Sequence, residues 1–127
     1  MAVRIETFDR IEDAARALAG SSTARFLGGG TLVMRAVNEG STYFDTIVRA
    51  RDASLKDVRN EGDGILIGAG VTMAAVMANR DLAFLAPVAR SVGGPAVRNM
   101  ATVGGNLFAS SPYGDFTAAL LALGAVV

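Results

Sequence analysis

A chain of 127 residues has room for one small domain, burying roughly two-thirds of the surface its unfolded form exposes. Twelve Lys and Arg balance twelve Asp and Glu with no run of like charge, which argues against a nucleic-acid partner or an electrostatic membrane partner. There is no Cys and no His; thiolate and imidazole ligands, a nucleophilic thiol and the usual base near neutral pH are missing, so any iron–sulfur cluster or soft metal must belong to another chain.

Residues Met1 to Arg10 are mixed in polarity and lack the apolar core of a signal peptide, and no stretch reaches the ~18 apolar residues of a membrane span, so a cytoplasmic, soluble protein is expected. Val3 to Thr7 alternates as a short strand, and Asp9 is placed to cap a helix running through Leu18, with Gly20 as its stop. Phe26 and Leu27 form a brief apolar strand entering three glycines, after which Leu32 to Val37 reads as a helix. Thr46 to Val48 is a further strand, and Ile65 to Ile67 another, introduced by the turn-like Gly62-Asp63-Gly64. Thr72 is expected to cap a helix from Met73 to Met77. Asp81 to Val92 has helical spacing of Leu82, Leu85, Val88 and Ala89, with Pro87 marking a break or a helix start. A loop follows, then a helix from Phe116 to Leu123 capped by Asp115 and closed by Gly124, and Ala125 to Val127 reads as the beginning of a strand. Strand, glycine turn and helix recur, so the class is mixed α and β with part of the sheet parallel.

Three glycine-rich segments stand out. In the first, Phe26 to Gly40, Gly28, Gly29 and Gly30 allow a sharp turn that brings peptide N–H groups against a phosphate or pyrophosphate, or they form a tight strand-to-helix turn with no ligand. A P-loop is excluded, because no Lys-Ser or Lys-Thr follows. The second, Ile65 to Val76, imitates a Rossmann fingerprint through Gly68 and Gly70, but Met73 occupies the third glycine position and no acidic residue lies ~20 residues on, so a structural turn is the default. In the third, Val97 to Val127, Gly104 and Gly105 permit close backbone approach and Thr102 and Asn106 offer side-chain hydrogen bonds. A turn at Ser110-Ser111-Pro112 delivers Asp115, which either accepts bonds from a chain of hydroxyls or caps the next helix.

Gly28-Gly29-Gly30-Thr31, followed about 70 residues later by Thr102-Val103-Gly104-Gly105-Asn106 and by Ser111-Pro112 with Asp115, resembles the two signature loops of the FAD-binding domain of the molybdopterin dehydrogenase family. That family includes the flavin subunits of carbon monoxide dehydrogenase and the flavin domain of xanthine dehydrogenase. Ile67-Gly68-Ala69-Gly70-Val71-Thr72 also looks like the family's strand leading into a helix, and the match spans essentially the whole chain.

The resemblance implies an α+β FAD-binding fold of the molybdenum-hydroxylase flavoprotein type: one subdomain over about residues 1–55 and the start of a second over about 56–127, C-terminally incomplete. It implies that Phe26, Leu27, Gly28, Gly29, Gly30, Thr31, Leu32 and Val33 wrap the pyrophosphate and adjoining parts of FAD, and that Thr102, Val103, Gly104, Gly105 and Asn106 meet it from the other side. Asp115 is then expected at the ribityl or neighbouring polar part, and Val92 near the adenine end. Leu32 departs from the polar or acidic residue many relatives carry after the Thr. The glycines of both loops are expected to lie too close to FAD to tolerate a side chain.

The implied role is electron relay, from iron–sulfur clusters of a partner through FAD to NAD, a quinone or oxygen, with no catalytic residue and no metal ligand in this chain. A large molybdopterin-binding subunit and a small subunit with 2Fe-2S clusters are the implied partners. The rival readings are a stand-alone flavin-dependent oxidoreductase of the same broad fold and a fragment that binds no FAD. Ala118 to Val127 contains only Ala, Leu, Val and Gly, so it has no polar side and is expected to be covered by further structure or to drive self-association.

Overall fold

The computed structural model describes residues 2–41, 43–109 and 114–127; the turn expected at Ser110-Ser111-Pro112 lies outside them. The first half builds a three-stranded parallel sheet. Strand β1 (Arg4–Phe8) is followed by helix α1 (Ile11–Ala19), strand β2 (Ala24–Phe26), helix α2 (Val33–Asn38) and strand β3 (Thr46–Ala50), with β3 between the other two. Glu6 and Phe26 are both in register with Val48. One sheet face and α1 enclose Ala14, Ala24 and Val48, with Phe8, Ile11, Leu18 and Phe26 packed around them.

Helix α1 starts at Ile11, and Asp9 does not cap it. Arg10 holds the cap position without a side-chain bond, and the Ile11 N–H instead donates to Asp52 Oδ2 at 3.1 Å, from a residue 41 positions away. The same carboxylate accepts from the Ser54 amide and hydroxyl and so caps the short 3-10 turn Ala53–Lys56. These bonds, the Ser54 hydroxyl first, hold the Asp52 carboxyl below the usual carboxylate value.

The second half begins with an antiparallel hairpin of β4 (Val58–Glu61) and β5 (Gly64–Ile67), turned at Gly62 with φ of 62°. Helices α3 (Met73–Ala78), α4 (Ala86–Arg90), α5 (Pro95–Arg98), α6 (Val103–Leu107) and α7 (Asp115–Ala122) follow, and a 3-10 segment Arg80–Leu85 leads into α4, with Pro87 in its first turn. Their core is Val71, Met73, Val76, Leu82, Leu85, Ala89, Val103 and Phe116. Met73, the residue that breaks the Rossmann pattern, is fully buried in it. The hairpin is antiparallel, so Gly68 and Gly70 do not sit in a βαβ unit. Each instead packs on the Leu55 carbonyl, which accepts the Gly70 N–H at 2.7 Å.

Two expectations for the C-terminal part change. Residues 95–98 and 103–107, read as loop, form α5 and α6. Ala125 to Val127 pairs with no described strand, and Leu121, Leu123, Val126 and Val127 are exposed. Among the described residues no helix is long and apolar enough to cross a membrane, and no group of His, Cys, Asp or Glu has the arrangement to hold a metal ion.

Candidate cofactor site

The β2 ladder continues one residue past its end, where the Leu27 N–H donates to Val48 O at 2.8 Å; then the chain leaves the sheet. From there the N–H groups of Gly28, Gly29, Gly30, Thr31, Leu32 and Val33 donate to no acceptor among the described residues. Backbone amides in folded chains are nearly all paired or solvated, so a consecutive set of open donors is a cradle suited to an anionic oxygen. Gly30 has φ of +79°, the left-handed conformation that turns the row of amides. Charged side chains near this loop are engaged elsewhere: Arg25 donates to Ala24 O and stacks over Tyr43, and Arg35 pairs with Glu39 at 2.8 Å. Anion binding here would fall to the backbone.

The second loop is organised differently. Residues 69–73 and 101–104 run antiparallel, with Met73 N–H to Ala101 O at 2.9 Å, Val103 N–H to Val71 O at 2.9 Å and Gly104 N–H to Ala69 O at 2.8 Å. Thr72 and Thr102 face each other in this pairing, and each caps the helix it begins: Ala75 N–H to Thr72 Oγ1 at 3.1 Å, Gly105 N–H to Thr102 Oγ1 at 3.0 Å. The amides of residues 103 to 106 are therefore committed within the protein. This loop supplies a wall, whereas the first supplies donors.

The two loops touch. A Cβ on Gly29 would lie 1.7 Å from the Met100 carbonyl oxygen, and one on Gly28 would lie 2.8 Å from Thr102 Oγ1 and 3.5 Å from Gly105 Cα. A Cβ on Gly104 would lie 2.8 Å from Ala69 Cβ. The close neighbours of these glycines are thus protein atoms, and the intolerance to side chains expected of an approach to FAD has a cause inside the fold.

The structure sets Gly28 against Thr102 and Gly105 and Gly29 against Met100 and Ala101, with Phe26, Leu27, Gly30, Thr31, Leu32 and Val33 on the first loop and Val103, Gly104 and Asn106 on α6. Among the described residues no hydrogen bond or ion pair joins the other two candidates to them. Val92 is half-buried against the second core, its N–H bonded to Ala89 O. Asp115 is exposed and is the first residue of α7; its carboxylate caps nothing. Gly114, with φ of 101°, is the cap residue and has no side chain, so Asn106 Oδ1 takes the Thr117 N–H at 3.1 Å in its place. Met100 and Thr117 escaped the sequence reading, since neither belongs to a local pattern. Two surface depressions, about 450 Å³ between Lys56 and Asn79 and about 320 Å³ beside Met77 and Arg98, are lined by neither loop's glycines.

The family model described as "FAD binding domain in molybdopterin dehydrogenase" matches residues 2–127. The chain is 32% identical over 107 residues to the carbon monoxide dehydrogenase medium chain of Afipia carboxidovorans, covering 80% of this chain and 37% of that one. It is 33% identical over 103 residues to the xanthine dehydrogenase FAD-binding subunit of Escherichia coli O157:H7, covering 76% and 35%. Its fold superimposes with a TM-score of 0.78 at 23% identity on carbon monoxide dehydrogenase from Hydrogenophaga pseudoflava lacking the Mo-pyranopterin moiety, covering 84% of this chain and 39% of that one. The chain thus spans a little over a third of the length of these relatives. With its α+β architecture, its paired glycine loops and a family match across nearly every residue, the chain belongs to the FAD-binding domain family of the molybdopterin dehydrogenases.

Proposed function

We propose that this chain holds FAD as the electron-transfer component of a molybdenum-hydroxylase-type oxidoreductase. In that role it receives electrons from iron–sulfur clusters of a small partner subunit and passes them to NAD, a quinone or oxygen, while a large molybdopterin-binding subunit oxidises substrate. The observation that carries the reading is the run of open amides from Gly28 to Val33, set against the wall of Thr102 to Asn106. These donors fit a diphosphate without help from a cationic side chain. FAD, when bound, supplies the redox chemistry at its isoalloxazine ring, and the protein supplies orientation and electrostatics.

In this reading Phe26 to Val33 bind the diphosphate, Thr102 to Asn106 hold that loop in place from behind, and the exposed carboxylate of Asp115 is available to hydroxyls of the ribityl chain. Val92 is assigned to the adenine end on family resemblance. A division near residue 55 into two subdomains is supported by the two separate hydrophobic clusters, one around Val48 and the other around Met73. The absence of Cys and His supports keeping clusters and acid–base chemistry in other chains, and a cytoplasmic setting is consistent with it.

Titration of the purified full-length protein with FAD, ADP-ribose and riboflavin tests this. A flavin spectrum on the protein and competition by ADP-ribose are expected, with riboflavin much the weaker ligand because it has no diphosphate. A colourless protein that takes up neither FAD nor ADP-ribose would overturn the reading in favour of a fragment without cofactor.

A further inference from the structure

The larger of the two surface depressions, about 450 Å³, falls within the size range of small-molecule sites. Thr72, Ala75 and Asn79, spaced by three and four residues, line it along one side of α3, and Lys56, Val58 and Val71 line it from the segments around β4 and β5. No acidic residue lines it. Its polar side chains are left with donors only. Thr72 Oγ1 accepts the Ala75 N–H at 3.1 Å, and its hydroxyl proton has no acceptor among the described residues. Asn79 Oδ1 accepts the Asp81 N–H at 2.9 Å; a backbone amide only donates, so the carboxamide oxygen is fixed there and the NH2 group has no acceptor among the described residues. Lys56 is exposed and its ammonium has no hydrogen bond or ion pair among the described residues, the neighbouring Asp57 being paired with Arg59 at 3.6 Å. Helix α3 is six residues long and its Ala75 amide is spent on Thr72, so the polarity of the depression comes from side chains and not from a helix end. Val58, Val71 and Ala75 add an apolar lining.

We propose that this depression binds a small organic monocarboxylate, whose oxygens take the Lys56 ammonium, the Asn79 NH2 and the Thr72 hydroxyl while its apolar body lies on Val58, Val71 and Ala75. One cation with two neutral donors balances a single negative charge and leaves a phosphate dianion under-neutralised. With no carboxylate in the lining, nothing there repels an oxyanion. The glycines of the two cofactor loops are absent from the lining, so the proposal does not rest on the FAD reading.

Butyrate is the probe, with n-butanol and inorganic phosphate for comparison, each titrated into the full-length protein and followed by the amide resonances of residues 56–58 and 70–79. Saturable binding of butyrate with a Kd on the order of 1 mM is expected. Butanol, which lacks the charge, and phosphate, which lacks the apolar body, should each bind at least about tenfold more weakly. Lys56→Met should weaken butyrate about tenfold or more, the loss that follows from removing a hydrogen bond to a charged group. Asn79→Asp should do the same, since it keeps an oxygen for the Asp81 amide but replaces the NH2 with a negative charge. Arg90→Gln removes an exposed, unpaired guanidinium on α4 and should leave butyrate binding unchanged. Melting temperatures within about 2 °C of the wild type separate lost binding from lost fold. Shifts that do not saturate by about 50 mM butyrate, butanol or phosphate binding as tightly as butyrate, or wild-type affinity in Lys56→Met would each overturn the proposal and leave the FAD reading intact.

Discussion

Replacing Gly29 with Ala puts the first methyl group into the seam between the glycine loops. The added carbon would lie 1.7 Å from the Met100 carbonyl oxygen, 2.5 Å from the carbonyl carbon and 3.0 Å from Ala101 Cα. All three are backbone atoms, and the Ala101 amide and carbonyl are tied to Val97 and Met73, so no side chain can swing aside. Reaching an ordinary contact of 3.4 Å requires the loops to part by about 1.7 Å, which also draws Gly28 away from Thr102 and Gly105. Overpacking of this kind costs roughly 1–3 kcal/mol, and with rigid backbone on one side the upper end, about 2–3 kcal/mol, is expected. Gly64→Ala is the control: its Cβ would meet nothing within 4 Å, and a change within about 0.5 kcal/mol is expected. Urea unfolding followed by far-ultraviolet circular dichroism measures both, with an unchanged slope showing that the unfolded state is not the cause. If Gly29→Ala is as stable as Gly64→Ala, the loops do not hold this contact in solution and the account of the seam is wrong. The same geometry means that flavin loss in Gly29→Val or Gly105→Val does not by itself show that these glycines touch FAD.

Phe116 is fully buried in the second core, and Phe116→Ala should cost about 3–5 kcal/mol in the same urea experiment. Asp115→Ala should change stability by less than about 0.5 kcal/mol, because its carboxylate caps nothing, whereas Asn106→Ala should cost about 1–2 kcal/mol by orphaning the Thr117 amide; the reverse order would return the cap to Asp115. Asp52 has a folded pKa below its ordinary 3.8, so its contribution is present above that value and lost as pH falls through the lower folded value. Stability measured from about pH 5 down to about pH 2.5 should therefore fall more steeply in the wild type than in Asp52→Asn, and parallel profiles would show that Asp52 does not make these bonds in solution. Thr72→Val should cost about 1 kcal/mol through loss of the bond to the Ala75 amide, read as a lowered urea midpoint.

The features legible from sequence are those whose partners lie within a few residues. Thr72 and the Ala75 amide are one helical turn apart, Pro87 enters the first turn of α4, and Gly124 adopts φ of 67° directly after α7, so local stereochemistry sufficed for each. The paired glycine loops could be recognised because their spacing and composition are distinctive even when their purpose is not. Strand β4 went unread because its Val58-Arg59-Asn60-Glu61 is mostly exposed and shows no apolar alternation. Helix α6 went unread because two of its five residues are glycine; the Thr102 cap and the pairing of residues 101–104 with 69–73 hold it, and that pairing spans some 30 positions. Long-range partners decided the caps as well: Asp52 replaced Asp9 at α1, and Asn106 replaced Asp115 at α7. A hydrogen bond needs only distance and direction, so whichever oxygen the tertiary fold delivers to an open amide becomes the cap, and sequence adjacency has no claim on it. The glycines follow the same logic. Composition announces that a backbone must come close to something, but only the packed structure shows that for Gly28 and Gly29 the something includes the opposite loop, while their amides find no acceptor among the described residues.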